Sequence, residues 1–383
     1  MRTLRVADVP ETTISGLEAG PSGERKVLSE KPFKGAIAIE RKRTERSGEP
    51  FLLMLCGVTG EGQEGDVWLR DKIVSVLLAA SRETDVVGWY TDRDMVGVLF
   101  TSFVDNDRKL ILNTILNRFS SLLEAELPLE QFARICLSFH FFPDDWHAFE
   151  SGSASNPALY PDLLDPGSRR KSYLLVKRGI DLLGSVLALI FFSPLFLLIA
   201  LAIKLTSKGP VFFQQNRVGQ FGRQFMFLKF RTMYCNCDSA VHREYVTRLI
   251  ANQAERNLTD PCGQGIFKLT NDRRITWAGR ILRRYSLDEL PQLLNVLRGD
   301  MSLVGPRPAI PYELAAYQTW HRRRILEAKP GVTGLWQVTG RSQVRFDEMV
   351  RLDLRYATSL SLWLDLKILA RTPLAVVRGA GAC

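Results

Sequence analysis

Two adjacent acids, Asp288 and Glu289, stand in the densest run of chemically capable residues, RILRRYSLDELPQLLNVLRGDMSLVGPR from Arg280 to Arg307. Arg280, Arg283 and Arg284 precede the pair; Arg298 and Arg307 follow it. Two readings compete. Ser286-x-x-Glu289 fits a capping box, so the acids can simply cap a helix. Pro291 also suits a first helical turn, which favours a start nearer Asp288. Either register puts both carboxylates at the positive end of a helix dipole. The other reading is a site for an anionic substrate, with the acids holding a divalent metal. Phosphate chemistry needs this mixture. Mg²⁺ takes one or two carboxylates plus phosphate oxygens. Arginine forks grip phosphate and neutralise transition-state charge. A carboxylate can be the nucleophile that forms an aspartyl phosphate. An ionised carboxylate repels phosphate, so metal and arginine must screen it first.

Further cations lie on both sides of this run. Arg217-Val-Gly219 and Lys229-Phe-Arg231 fall on an expected strand and turn, and Pro306-Arg307-Pro308 holds an arginine in stiff, extended backbone. Lys329-Pro-Gly-Val-Thr-Gly334 and Gly340-Arg341-Ser342 are Gly-rich loops, more readily turns than phosphate cradles. No G-x-x-x-x-G-K-[ST] or G-x-G-x-x-G accompanies them. His140, His147, His242 and His321 have no metal-ligand spacing and read as structural or exposed. Thr91-Asp92-Arg93-Asp94 contains a D-x-D, but its place between two expected strands makes it a hairpin turn.

The elements that must position these groups begin with one apolar segment. Leu182–Ile203 has no charge over 22 residues, ~33 Å as a straight helix and enough to cross a bilayer core. Ser193-Pro194 sits at its midpoint, where proline removes a donor and a bend is expected. Arg169, Arg170, Lys171, Lys177 and Arg178 flank one end, and Lys204 and Lys208 the other. Positive charge marks the cytoplasmic side. Both observations fit a re-entrant helix over residues 180–204; a spanning helix that tolerates its proline is the alternative. Beyond it, Val211–Met233 alternates basic and apolar residues, Ala240–Glu255 has amphipathic spacing, and Ile275–Arg284, Leu287–Leu297, Phe346–Ala357 and Leu362–Val377 are expected helices. Trp336 and Trp363 suit either a lipid interface or a core.

Residues 1–33, rich in Gly, Pro, Ser, Glu and Thr, read as a flexible start. Residues 34–150 follow as a soluble block: a strand at Phe51–Val58, a helix at Val67–Ser81, strands at Asp85–Tyr90 and Met95–Phe103, a helix at Leu110–Leu127 and a strand at Ala133–Phe142. This β-α-β-β-α-β order is ferredoxin-like. Residues 151–172 are a linker with Pro, Gly and Ser, and 173–383 form the membrane-anchored part, so the whole is α+β. A net charge of +10 favours polyanionic partners. No RNA-binding, homeodomain or paired CxxC pattern is present, which disfavours nucleic acid. The six cysteines form no zinc spacing and read as free thiols of a reducing compartment. Met1–Thr13 lacks the apolar core of a secretory signal.

From about Lys177 to Leu374 the chain resembles the bacterial sugar transferases, the monotopic phosphoglycosyl transferases. The resemblance rests on Lys177-Arg178 with Asp181, Ser193-Pro194, PVFFQQNRVGQFGRQFMFLKFRTM, SLDELPQLLNVLRGDMSLVGPRP and KPGVTGLWQVTGRS, in that order. It implies a mostly α-helical domain behind a re-entrant helix broken at Ser193 and Pro194, on the cytoplasmic face of the bacterial inner membrane. It implies that Asp288 attacks the sugar-linked phosphate of a UDP-sugar and releases UMP, and that polyprenol (undecaprenyl) phosphate then takes the sugar phosphate. Such a step initiates exopolysaccharide, capsule, O-antigen or glycoconjugate synthesis. Glu289 would assist, Mg²⁺ would sit at Asp288 and Glu289, and Lys229, Arg231, Arg283 and Arg307 would bind phosphate. Asn271-Asp272-Arg273-Arg274 and Leu360 depart from the family pattern without touching Asp288. The first block resembles a degenerate GGDEF-type domain through ETDVVGWYTDRDMVGVLF and ARICLSFHFFPDD. Its signature is Thr91-Asp92-Arg93-Asp94-Met95 without the glycine pair, and Cys56-Gly57 replaces a metal-binding aspartate. That implies a regulatory role or a homodimer through this block rather than cyclase activity. The alternative for the whole chain is a membrane-tethered, nucleotide-sensing scaffold with an inactive transferase domain.

Overall fold

The computed structural model describes residues 26–59, 66–101, 103, 107–143, 156–164, 168–234, 240–251, 253, 274–340 and 344–377. In chain order the first elements are α1 (Glu30–Ser47), β1 (Phe51–Val58), α2 (Asp66–Ala80), β2 (Val86–Thr91), β3 (Met95–Phe100), α3 (Arg108–Glu126), α4 (Leu129–Phe132) and β4 (Ile135–Phe142). Then follow α5 (Pro161–Leu164), α6 (Ser168–Thr206), β5 (Phe212–Val218), β6 (Gln224–Phe230), α7 (Ala240–Ile250), α8 (Trp277–Arg284) and α9 (Gln292–Arg298). The last are β7 (Ser302–Val304), α10 (Pro311–Leu314), α11 (Thr319–Glu327), β8 (Gly331–Thr333), α12 (Leu335–Thr339), α13 (Phe346–Thr358) and α14 (Leu362–Val377). The chain divides into two compact units, residues 1–33 with 54–138 and residues 34–53 with 139–383.

Residues 51–142 carry the expected β-α-β-β-α-β order on a sheet ordered β2-β3-β1-β4. Leu69, Ile73 and Leu77 recur every four residues on one face of α2 and are buried, as are Phe119 and Leu123 of α3. Phe119 packs edge-on against Phe100 of β3 at 5.9 Å. β2 and β3 pair antiparallel with Gly88 opposite Gly97. Thr91-Asp92-Arg93-Asp94 is a hairpin turn: the Asp94 amide donates to the Thr91 carbonyl at 3.1 Å, and Arg93 takes φ 53°. The D-x-D is therefore turn chemistry.

α1 was not anticipated, and it runs across the sequence-based boundary at residue 33; its Lys34–Ser47 part belongs to the second unit. Its apolar stripe is narrow, and charged contacts hold it. Buried Arg41 donates to the Leu159 carbonyl at 2.8 Å and to both Asp162 oxygens at 3.0 and 2.8 Å, while Glu45 faces Arg323 at 3.5 Å.

α6 is assigned as one helix from Ser168 to Thr206, well beyond the expected 180–204, with Pro194 inside it. Ser193 Oγ donates to the Ile190 carbonyl at 2.8 Å. Its middle exposes large apolar side chains, including Phe191 and Leu197. Both halves of α6 bind this same unit. Lys177 Nζ donates to the Val304 carbonyl at 3.0 Å and to Asp365 at 2.9 Å. Arg178 donates to the Val296 and Leu297 carbonyls, closing the C-terminal end of α9. Asp181 accepts from Ser302 Oγ and the Leu303 amide. At the other end Ile199 and Ile203 pack with Phe230 and Leu282. Lys177 and Arg178 thus serve internal contacts, which amends their reading as topology signals.

β5 and β6 form a seven-pair antiparallel hairpin, and β7 and β8 a short parallel pair with Ser302 opposite Gly331. The backbones of Gly305 and Gly331 nearly touch: a Cβ on Gly331 would meet Gly305 N at 2.0 Å. The Lys329–Gly334 run is therefore a close strand crossing, not a phosphate cradle.

Candidate active site

One cavity of about 1490 Å³ gathers most of the sequence-predicted chemistry, including Arg217, Lys229, Arg231, Arg283, Asp288, Glu289 and Arg307. Local backbone sets the acids first. Ser286 is left-handed at φ 53°, makes no side-chain cap, and leads into a 3-10 turn over Leu287–Glu289; α9 starts only at Gln292 after Pro291. The expected Ser286–Glu289 capping box is therefore absent. The serine's backbone conformation aims it away from the amides it would cap, which frees Glu289 for other partners. α9 is fixed to the β5–β6 hairpin by Asn295: its Nδ2 donates to the Met226 carbonyl at 2.7 Å, and its Oδ1 accepts from the Leu228 amide at 3.1 Å. That clasp brings the acid turn to Lys229 on β6.

Asp288 is 7 % exposed. Burial, and then the neighbouring Glu289, push its carboxyl up to about 6, while Lys229, Arg283 and Arg307 pull the other way. Glu289, partly exposed, pairs with Arg307 at 3.5 Å. Lys229 Nζ lies 5.3 Å from the Phe213 ring centre, and burial lowers its ammonium to about 8 against the pull of Asp288. Arg283 closes α8 and donates through Nε to Thr232 Oγ1 at 3.0 Å. α8 can come this close because residue 279 is glycine; a Cβ there would meet the Thr232 carbonyl oxygen at 2.1 Å. Thr276 caps the same helix, accepting from the Gly279 amide at 3.0 Å.

Arg231 lines the cavity, but its Nη1 donates to the Lys208 carbonyl and its Nη2 to the Ser207 carbonyl and hydroxyl. It ties the end of α6 to β6. Arg307, between two buried prolines, has its carbonyl held by Arg324 Nη2 at 2.9 Å. Arg324 in turn pairs with Asp353 at 2.9 Å, both nearly wholly buried. Sequence reading missed Thr232, Asn295, Arg324 and Asp353, because the partners described here are 17 to 69 residues away and leave no local spacing pattern. His321 is buried among aromatic rings and paired with Asp347, a structural role as expected. Cys235, Cys237, Cys262, Cys383, His147, Asn271 to Arg273 and Arg341-Ser342 lie outside the described residues. Trp336 lines the cavity, whereas Trp363 is exposed on α14 beside Leu366.

Two carboxylates at the cavity fit a hard divalent cation that completes its shell with substrate phosphate and water. No group of three or more metal-ligating side chains occurs among the described residues. The apolar part of the wall includes Phe192 of α6 and Pro373 and Val377 of α14, so the polar site adjoins the lipophilic surface of the unit.

Comparison with known proteins gives a family for this unit. The exopolysaccharide production protein ExoY of Rhizobium meliloti is 40% identical over 230 residues, covering 60% of this chain and 97% of its own. The undecaprenyl-phosphate galactose phosphotransferase of Salmonella typhimurium is 44% identical over 218 residues, 56% of this chain and 43% of its own. The UDP-glucose:undecaprenyl-phosphate glucose-1-phosphate transferase of Caulobacter vibrioides is 44% identical over 209 residues, 52% of this chain and 68% of its own. The chain thus spans nearly all of the first relative and less than half of the second. Among solved structures, a DGC protein from Thermotoga maritima covers 32% of this chain and 86% of its own at 16% identity and a TM-score of 0.27, which adds nothing to the site. Residues 172–379 match the bacterial sugar transferase family over more than half the chain, and every cavity residue named above lies within them: the chain belongs to that family.

Proposed function

We propose that this chain transfers a sugar 1-phosphate from a UDP-sugar to undecaprenyl phosphate at a membrane surface, releasing UMP, as the first step of exopolysaccharide or capsule assembly. The observation that carries this reading is a buried aspartate, Asp288, in a cationic cavity that adjoins an apolar membrane helix. The names of the related transferases support the same substrates.

A carboxylate oxygen of Asp288 forms a bond to the sugar-linked phosphorus, and the bond from that phosphorus to the UMP oxygen breaks, with UMP leaving on the electron pair. Undecaprenyl phosphate then attacks the same phosphorus and Asp288 departs. Lys229 and Arg283 flank Asp288 and offset the charge of the incoming phosphate. Arg307, tethered by Arg324, holds Glu289 in place. Asp288 and Glu289 would hold Mg²⁺, which when bound screens carboxylate from phosphate. Attachment of both halves of α6 to one unit favours a helix that enters the cytoplasmic leaflet and returns, with Ser193-Pro194 at its turn. This makes the protein monotopic on the cytoplasmic face of the inner membrane. The intact acid pair inside a formed cavity speaks against an inert scaffold.

The test is UMP release from a panel of UDP-sugars by purified protein with Mg²⁺ and undecaprenyl phosphate. Asp288→Asn should lower turnover by at least about a thousandfold, as loss of a covalent nucleophile does. Undiminished turnover would remove Asp288 as the nucleophile, and mass spectrometry that never finds a phosphosugar on it would refute the covalent step.

A further inference from the structure

The cavity wall built by β8, α12 and α14 has no part in the reaction above. Among the described residues no charged side chain of these three elements lines the cavity; they contribute Thr333, Trp336, Gln337 and Thr372 among apolar neighbours. Two polar atoms of this wall are left over. Trp336 Nε1 and Gln337 Oε1 are buried and meet no hydrogen-bond partner among the described residues. The other end of the same amide is used: Gln337 Nε2 donates to the Val332 carbonyl at 3.3 Å. Thr333 and Thr372 share a hydrogen bond of 2.9 Å. Thr372 Oγ1 already donates to the Ile368 carbonyl at 2.8 Å, so Thr333 is the donor and both oxygens can accept again. A folded protein carries few buried donors or acceptors without a partner, because each costs its desolvation. A neighbouring N–H and carbonyl match a neutral group that both accepts and donates, as a hydroxyl does. An ionised phosphate would serve the indole alone, and an isoprenoid chain would serve neither.

This wall is fastened to the strand that leads to the acids. The Gly305 amide donates to the Thr333 carbonyl and the Gly331 amide to the Pro306 carbonyl, both at 2.8 Å. Gly334, just before α12, lies so close to the Gly305 carbonyl that a Cβ would collide with it. Arg307 follows two residues after Gly305 and pairs with Glu289 at 3.5 Å. In a UDP-sugar the transferred sugar is bonded directly to the phosphate that Asp288 attacks, whereas the base lies beyond a second phosphate and a ribose. The neutral ring nearest the acids is therefore the sugar. We infer that Trp336 and Gln337, together with the Thr333–Thr372 pair, bind hydroxyl groups of the transferred sugar, which makes α12 the sugar subsite of the cavity. This rests on the proposed reaction and adds which wall holds the sugar.

The experiment is calorimetric binding of a panel of UDP-sugars and of UMP, with Mg²⁺, to the full chain in detergent, in an Asp288→Asn background that blocks turnover. Trp336→Phe keeps an aromatic ring and removes the N–H; Gln337→Met keeps the side-chain length and removes the amide. Each should weaken the best-bound UDP-sugar by at least about fivefold, the loss of one neutral hydrogen bond. UMP, which lacks the transferred sugar, should bind unchanged. Gln337→Met decides the matter if Trp336→Phe does not fold. Undiminished UDP-sugar binding by a folded variant overturns the subsite. So does a parallel loss of UMP binding, which would put uridine against α12. Tighter undecaprenyl phosphate binding with UDP-sugar binding unchanged would give the wall to the lipid and overturn it too. UMP release by proteins with Asp288 intact separates the two ideas. UDP-sugar binding that depends on Trp336 or Gln337, without UMP release, sinks the reaction and keeps the subsite. UMP release with an unchanged KM for the UDP-sugar in both variants sinks the subsite and keeps the reaction.

Discussion

At the scale of single residues, the proposed reaction depends on opposite protonation states in two groups that line one cavity. Asp288 must be ionised to attack, and Lys229 must be protonated to receive phosphate. Burial moves the two toward each other, Asp288 up to about 6 and Lys229 down to about 8. As pH rises through about 6 the nucleophile appears; as it rises through about 8 the Lys229 charge is lost. UMP release at low substrate should therefore be bell-shaped, with its acid limb set by Asp288. Lys229→Arg keeps its charge above pH 8 and should remove the alkaline limb while sparing the acid one. A pH profile of kcat/KM on both proteins checks this. Asp288, Glu289, Lys229, Arg283 and Arg307 were legible in the sequence as a cluster of chemically apt types, and the structure collects them at one cavity. Arg231 was read alongside them, but its fork grips Ser207 and Lys208. A guanidinium that grips carbonyl oxygens and one that does not look the same in a sequence, since only the opposing atoms differ.

At the scale of elements, the site is held by polar clasps between short segments. Arg324 on α11 reaches the Arg307 carbonyl and the carboxylate of Asp353 on α13. Asp353→Ala leaves Arg324 buried and unpaired and should cost about 3–5 kcal/mol of unfolding free energy, read by denaturant titration. Because Arg324 also sets Arg307, UMP release should fall even where the variant is folded. Asn295→Leu should loosen the acid turn from Lys229: it leaves the Met226 carbonyl and Leu228 amide unpartnered, at about 1–3 kcal/mol for each buried orphan. A lower denaturation midpoint with an unchanged m-value is the expected result. Element types were largely legible: α14 matches its expected range, and the hairpin around Thr91–Asp94 formed as read. The acid turn was not, because a capping box presumes a Ser286 backbone that this loop does not adopt.

At the scale of the whole molecule, an apolar helix and a hydrophilic site are joined in one unit. If α6 enters and returns, cysteines at Lys171 and Lys208 will be labelled by an impermeant reagent from the same face of sealed inverted vesicles. Labelling from opposite faces would establish a spanning helix. The anchors make the first outcome the expected one: Lys177, Arg178 and Asp181 near one end, and Ile199 and Ile203 near the other, grip α9, β7, α8 and β6 of a single fold. The flanking lysines and arginines suggested the same topology for a different reason, namely charge at the membrane surface. Two of them turned out to be internal.

Local composition and period were enough to mark the membrane helix, the ferredoxin-like strand order and the acid pair among its arginines, because each is written in neighbouring residues. Which cations share a cavity with the acids, how the acids leave the capping position, and why Gly305, Gly331 and Gly279 are glycines were decided only by folding. Those outcomes depend on atoms brought together from distant parts of the chain.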